Sequence, residues 1–176
     1  IEDIYKTCSD LARTFSFGGG CGIDISKLRP RDAYVNNSAK KTSGACSFMD
    51  TFSQVTETIG QNGRRGALMI SISCEHPDLL EFIEIKNDLN RVTKANISVR
   101  ITDDFMKAVE EDRDWELKFE TRHEVISKTV KAKEVFRLLC KNNWNMAEPG
   151  ILYWDTIERW NLLSEDMEFS YAGVNP

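Results

Sequence analysis

A chain of 176 residues, 41% hydrophobic and 29% charged, has the balance of a globular protein with one core and is too short for two comfortable ones. A net charge of −5 with both signs mixed along the chain offers no basic face to duplex nucleic acid. No apolar run approaches the roughly 20 residues that span a bilayer, so no membrane partner is expected.

The opening residues, Ile1-Glu2-Asp3-Ile4-Tyr5, lack a signal-peptide pattern, and the missing initiator Met leads us to expect more chain upstream. The five cysteines, Cys8, Cys21, Cys46, Cys74 and Cys140, are odd in number and make no CxxC pair. They read as buried free thiols in a reducing cytoplasm, not as a zinc knuckle or a redox dithiol. His76 and His123 have no recognisable ligand partner, and His76 before Pro77 suits a turn that starts a helix.

In chain order, Asp3 to about Phe17 places Ile4, Cys8, Leu11, Ala12 and Phe15 on one helical stripe, broken by Gly18-Gly19-Gly20. Cys21–Ile25 reads as a strand and Leu28–Lys41 as a long loop. Ser43 is a candidate cap for a helix from about Cys46 to Ile59, with Phe48, Phe52, Val55 and Ile59 inward. The turn Gln61–Gly66 delivers a strand, Ala67–Ile72, apolar enough to suggest a parallel sheet covered on both faces. Pro77 suits the first turn of a helix through about Lys86, followed by a polar loop, Asn87–Ala95, and a strand, Asn96–Ile101. Thr102 with Asp103 and Asp104 starts another helix. Alternation in Trp115–Glu120 and Val125–Val130 predicts an antiparallel hairpin. Lys133–Trp144 is an amphipathic helix with Val135, Phe136, Leu139 and Cys140 inward. Ile151–Trp154 is the last strand, and Asp155 begins a short helix containing Ile157, Trp160 and Leu163.

Strand–helix alternation implies an α/β fold with a parallel sheet and the 115–130 hairpin as an insertion. About four parallel strands fall short of the roughly eight of a closed barrel, so an open half-barrel or a fragment is expected. The glycine run could hold phosphate on its amides or simply make a tight turn. It lies at a helix-to-strand junction, which excludes a dinucleotide fingerprint. The basic runs Lys27–Arg31 and Arg64-Arg65 could grip phosphates, although a solvated loop is the commoner reason for such runs.

The joint order of GGGCGIDISKLRPR, TSGACSFMDTF, QNGRRGALM, HPDLLEFIEIK, ANISVRITDDFM, AEPGILYWD and VNP resembles the catalytic subunits of ribonucleotide reductases along essentially the whole chain, most closely the vitamin B12-dependent members. The resemblance implies about one half-barrel of a ten-stranded α/β barrel, with residues 1–176 a single partial domain. It also implies reduction of ribonucleoside di- or triphosphates to deoxyribonucleotides by thiyl-radical chemistry. Adenosylcobalamin is the implied cofactor; a deoxynucleoside triphosphate effector, a thioredoxin-like reductant and a homodimer are the implied partners. An oxygen-dependent class with a separate metallo-cofactor subunit is the near alternative.

By the same resemblance, Asn175 matches a finger-loop asparagine that hydrogen-bonds the ribose, and Asn175-Pro176 stand just before the expected radical cysteine. Gly19 and Gly20 fall where the family's backbone meets the substrate. Arg29 matches an arginine on the effector phosphates, Ser16 lies near that pocket, and Asn36 stands where other members place an effector-binding arginine. Arg31–Lys41 corresponds to a first specificity loop and Asn87–Ala95 to a second, in which Arg91 and Lys94 are the candidates. The reducing cysteine, the radical cysteine and the finger-loop glutamate are expected elsewhere in the protein. The isolated chain is therefore expected to be inactive and to bind nucleotide poorly. A non-catalytic nucleotide-binding piece, or one interrupted by an intein and needing a complementing chain, is the alternative of a different kind.

Overall fold

A computed structural model describes residues 1–60 and 66–163. Six helices, α1 (Glu2–Ser16), α2 (Ser47–Ile59), α3 (Leu79–Glu84), α4 (Asp103–Glu110), α5 (Ala132–Met146) and α6 (Trp154–Arg159), alternate with β1 (Gly20–Asp24), β2 (Ala67–Ser73), β3 (Asn96–Ile101), β4 (Asp114–Glu120), β5 (Val125–Lys131) and β6 (Gly150–Tyr153). Strands β1, β2, β3 and β6 form one parallel sheet in that order, and β4 pairs only with β5, antiparallel.

The strand order never reverses. Right-handed crossovers in such a sheet put every connecting helix on one face, as in a barrel wall, whereas a doubly wound sheet reverses and is covered on both. Side-chain alternation confirms it. Leu68, Ile70 and Ile72 of β2 and Ile97, Val99 and Ile101 of β3 join the core with Leu11, Phe15, Met49, Phe52, Phe82, Phe105 and Leu139 from the helices. The opposite face carries Asp24, Met69, Ser71, Ser73, Asn96, Ser98 and Arg100. The register sets Asp24 beside Ser71, Ser71 beside Ser98, and Ser98 beside Gly150, a row of small or polar residues across the sheet. The second face of β2 is polar, marked by Ser71 and Ser73, and Ser71 and its β3 neighbour Ser98 are nonetheless buried.

Local chemistry explains the junctions. At the end of α1, the Gly18 and Gly19 amides donate to the carbonyls of Phe15 and Thr14, and Gly18 takes φ +77, a conformation glycine adopts without cost. A Cβ on Gly19 would stand 2.7 Å from Thr14 Cγ2. Helix α4 begins as its sequence predicts: the Thr102 hydroxyl accepts the Phe105 amide at 3.1 Å, and Asp103 and Asp104 sit in the positive first turn. The hairpin is fastened to the end of β2, where Trp115 Nε1 donates to the Cys74 carbonyl at 2.9 Å and the Lys118 amide to Glu75 at 2.7 Å.

Four expectations are corrected. Ser43 does not cap α2; its hydroxyl pairs with Ser47, and the helix starts after Cys46. Of the α2 residues expected inward, Phe52 is buried, while Phe48, Val55 and Ile59 are only partly buried and pack at the margin of the core; Met49, Ser53 and Thr56 complete the buried face. Cys140 is exposed because Val135, Leu139 and Asn142 define the buried stripe of α5. Trp154 leaves the last strand to become the buried first residue of α6, which ends at Arg159 and leaves Trp160 exposed.

The thiols divide accordingly. Burial pushes Cys8 and Cys46 up, and Cys74 up to about 11, so these groups are protonated and shielded. A disulfide exchange reagent at neutral pH is expected to label Cys140 in the native protein, and Cys8, Cys46 and Cys74 only after denaturant is added. Fast native labelling of Cys46 or Cys74, read by peptide mass, would contradict the packing described.

Candidate functional site

The starts of the parallel strands converge on a cleft of about 610 Å³, whose walls include Thr56, Glu57, Gly66, Lys86, Lys94 and Glu148. One wall is the loop between α3 and β3. Its conformation comes from α2, which presents Asp50, Ser53 and Glu57 at helical spacing. Asp50 accepts Arg91 Nη2 at 2.6 Å, Arg91 Nε at 3.0 Å and the Val92 amide at 3.1 Å. Ser53 Oγ accepts the Lys94 amide at 2.9 Å, and Lys94 Nζ lies 3.5 Å from Glu57. Val92 is buried at φ +49, a left-handed conformation that a β-branched residue adopts only when its surroundings impose it.

The neck of this loop is closed by a shielded ion pair. Lys86 Nζ donates to the Ala95 carbonyl at 2.7 Å and meets Glu148 at 2.8 Å, while the other Glu148 oxygen accepts the Ile97 amide at 3.2 Å. The two side chains are only 15% and 20% exposed. One carboxylate thus ties the loop to β3 and to the segment leading into β6.

A second loop, Arg31 to Ala45, follows β1 and is closed at its neck by Asp78. This buried carboxylate accepts the Arg31 amide at 3.0 and 3.1 Å and the Ala45 amide at 2.9 Å. Gly44, at φ +95, leaves no room for a Cβ, which would stand 2.8 Å from Asp78 Oδ2. His76 completes the junction: its Nδ1 accepts the Asp78 amide at 3.0 Å, so Nε2 carries the proton and donates to the Leu28 carbonyl at 2.9 Å. The turn role expected of His76 is the one it plays.

Burial holds His76 below the ordinary histidine value of about 6.5, against the raising effects of the Leu28 carbonyl, Asp78 and Asp24. The unfolded chain therefore binds this proton more tightly. The stabilisation is complete above about pH 6.5 and is lost as pH falls through the folded value. Unfolding midpoints are expected to drop on acidification below that point, with a shallower slope in His76→Gln. Equal slopes in the two proteins would remove His76 as the cause.

At the far ends of the strands, Asp24 accepts the Ser71 hydroxyl at 2.8 Å and pairs with Arg100 at 3.0 Å, and the Arg100 guanidinium lies 3.5 Å over the Trp154 ring. Arg100 Nε is buried without a hydrogen-bond partner among the described residues.

The sequence-derived candidates distribute as follows. Gly20 starts β1, with Gly19 just before it, and pairs with Ala67, which lines the cleft together with Lys94; Arg91 lies in the same loop as Lys94 but is held against Asp50. Ser16 ends α1, its hydroxyl donating to the Arg13 carbonyl at 2.7 Å. Arg29 and Asn36, both exposed, follow the opposite end of β1. Asn175, Pro176, Arg64 and Arg65 lie outside the described residues. The sequence reading missed Asp50, Ser53 and Glu57, although their spacing of three and four was visible. It also missed Asp78 and the Lys86–Glu148 pair, for which no local signal exists.

A parallel sheet wound in one direction, helices on one face and a polar row on the other, defines an open α/β half-barrel. A family model described as the ribonucleotide reductase barrel domain matches residues 1–170, and the chain belongs to that family. It is 39% identical, over 92% of its length, to a vitamin B12-dependent ribonucleoside-diphosphate reductase of Thermoplasma acidophilum, and 33% identical, over its whole length, to a vitamin B12-dependent ribonucleotide reductase of Streptomyces avermitilis. A ribonucleoside-diphosphate reductase large subunit of Dictyostelium discoideum is 23% identical over 97% of the chain. The chain spans 21%, 20% and 24% of these three proteins respectively.

Proposed function

We propose that this chain is the part of an adenosylcobalamin-dependent ribonucleotide reductase that orients the ribonucleotide and relays the identity of a deoxynucleoside triphosphate effector. The observation that carries the proposal is the 88–95 loop. It forms a wall of the strand-start cleft and is fixed from behind by Asp50, Ser53 and the Lys86–Glu148 pair. A loop held this way can report a change on one side to a ligand on the other, because its contacts are discrete and not compliant.

Within this assignment, the backbone at Gly19 and Gly20 and the Lys94 ammonium approach the substrate, although the Gly19 amide itself is engaged by the Thr14 carbonyl. Arg29 and Asn36, with the Arg31–Lys41 loop, take the effector phosphates, and Ser16 contributes from the other end of β1. Asn175 and Pro176 approach the ribose. Thiyl-radical chemistry, in which a ribose 2′-hydroxyl gives way to hydrogen, belongs to the rest of the reductase, as do the contacts to a thioredoxin-like reductant and to a second copy of the subunit.

Adenosylcobalamin supplies the radical when bound. His76 offers its cobalt no ligand, since both ring nitrogens are engaged. The corrin is assigned, as part of this proposal, to other parts of the protein. The test is turnover by the full-length reductase with adenosylcobalamin, a dithiol and no second subunit. Deoxynucleotide formation is expected; its absence, with activity restored by a metallo-cofactor subunit, would reject the cobalamin class.

A further inference from the structure

The β4–β5 hairpin has no part in the cleft, yet its tip reaches back to the Arg31–Ala45 loop. The Tyr34 amide donates to the Glu124 carboxylate at 2.7 Å, a contact between residues 90 apart in sequence, and the Tyr34 ring meets His123 edge-on at 5.4 Å. The tip is built to hold this shape. Thr121 Oγ1 accepts the His123 amide at 3.1 Å and the Glu124 amide at 2.9 Å, and the Thr121 amide and hydroxyl both donate to the Glu124 carbonyl. The stem is equally fixed, with Leu117 fully buried, Trp115 edge-on to Phe105 at 5.2 Å and Phe119 edge-on to His76 at 5.5 Å.

The loop is thus gripped twice, at its neck by Asp78 and near its apex by the hairpin. Within the loop, a bridge joins Tyr34 and Lys41, the Asp32 amide donates to the Thr42 carbonyl at 3.0 Å, the Thr42 amide to Ala33 at 2.9 Å and the Val35 amide to Lys40 at 3.0 Å, so the two arms form a short ladder that the hairpin holds from outside. Tyr34 lies between Arg31 and Asn36. A carboxylate taking its amide fixes the turn that decides where Asn36 points. We propose that the hairpin tip, through Glu124 and His123, is the positioning element for the Arg31–Ala45 loop, and so sets how tightly the reductase holds its effector. The effector half of this inference rests on the function proposed above; the mechanical half rests on the contacts alone.

Charge-assisted acceptance by an exposed carboxylate is a modest contact, so the expected effects are modest. In the full-length reductase, Glu124→Ala is expected to raise amide hydrogen exchange across residues 33–41 while leaving exchange in β2 and β3 unchanged. It is also expected to weaken half-saturation by the deoxynucleoside triphosphate about three- to fivefold, with kcat at saturating effector unaltered. Glu124→Gln keeps an accepting oxygen and is expected to recover most of both. Unchanged exchange at residues 33–41 in Glu124→Ala overturns the proposal. So does a protein in which Arg29→Ala weakens effector binding and Glu124→Ala does not. If exchange rises in Glu124→Ala but neither Arg29→Ala nor Glu124→Ala alters the effector response, the tether stands and the effector assignment of this loop fails.

Discussion

Asp78→Ala is expected to lower the unfolding free energy by about 3 kcal/mol, because it strands two backbone donors at once. The Arg31 and Ala45 amides both point at Oδ2, and Ala45 is fully buried, so water cannot replace the lost acceptor at that end. Asp78→Asn is the informative companion. With its oxygen in the Oδ2 place the amide still accepts both N–H groups but sets its NH2 where Oδ1 also accepted the Arg31 amide, and a loss of about 1–2 kcal/mol is expected. Gly44→Ala attacks the same junction from the opposite side, through a positive φ and a 2.8 Å approach to that oxygen, and is expected to resemble Asp78→Ala. Urea midpoints of the three variants check this. Equal losses for the Asn and Ala substitutions would show that charge, and not hydrogen-bond geometry, holds the loop neck.

The second large effect is expected at Lys86. Replacement by Met leaves Glu148 shielded without its cation and takes a donor from the Ala95 carbonyl. Removing one member of a buried pair typically costs about 3–5 kcal/mol; the residual exposure of this one places the expected loss at about 2–3 kcal/mol. The double variant Lys86→Met/Glu148→Gln removes the stranded charge and keeps an acceptor for the Ile97 amide. It is therefore expected to be more stable than the sum of the single losses, by about 1–2 kcal/mol. Simple additivity in that cycle would mean that the two side chains act separately. Because the pair closes the neck of the 88–95 loop, Lys86→Met is also expected to raise the KM for ribonucleotide in the full-length reductase more than it lowers kcat.

These two junctions mark where sequence reading stops. Periodicity located β2, β3, the hairpin and most helices within a residue or two, because a strand or helix writes its own period into consecutive positions. It misjudged the margins of a buried face, where neighbouring stripes are one residue apart: Met49 is more deeply buried than Phe48, and Cys140, next to the buried Leu139, is exposed. Asp78 meets Arg31 across 47 positions and Lys86 meets Glu148 across a hairpin and a helix; a polar contact between distant residues leaves no trace in local spacing. For the candidate site the split is the same. Gly19, Gly20, Arg91 and Lys94 were singled out by resemblance alone, while the residues that hold the 88–95 loop in shape, Asp50, Ser53 and the Lys86–Glu148 pair, were not. Arg91 itself is spent on Asp50 in this conformation, a fact that only the packing discloses.

The row Asp24, Ser71, Ser98 and Gly150 gives the two sides of the sheet different mutational tolerances. On the helix side, Ile70 and Ile97 are boxed in, so adding or removing a methylene is costly in either direction. On the other side, at the contact between Ser98 and Gly150, the limit is a ceiling only. At Gly150 a Cβ would already stand 2.9 Å from the Ser98 hydroxyl, whereas trimming Ser98 to alanine opens space. Sequence drift at the Ser98–Gly150 contact is therefore a ratchet that admits smaller residues and rejects larger ones, whereas Asp24 and Ser71 are held by their bond to each other and Asp24 also by its pair with Arg100. A library varied at Ser98 and Gly150 alone is expected to return Gly, Ala and Ser and little else.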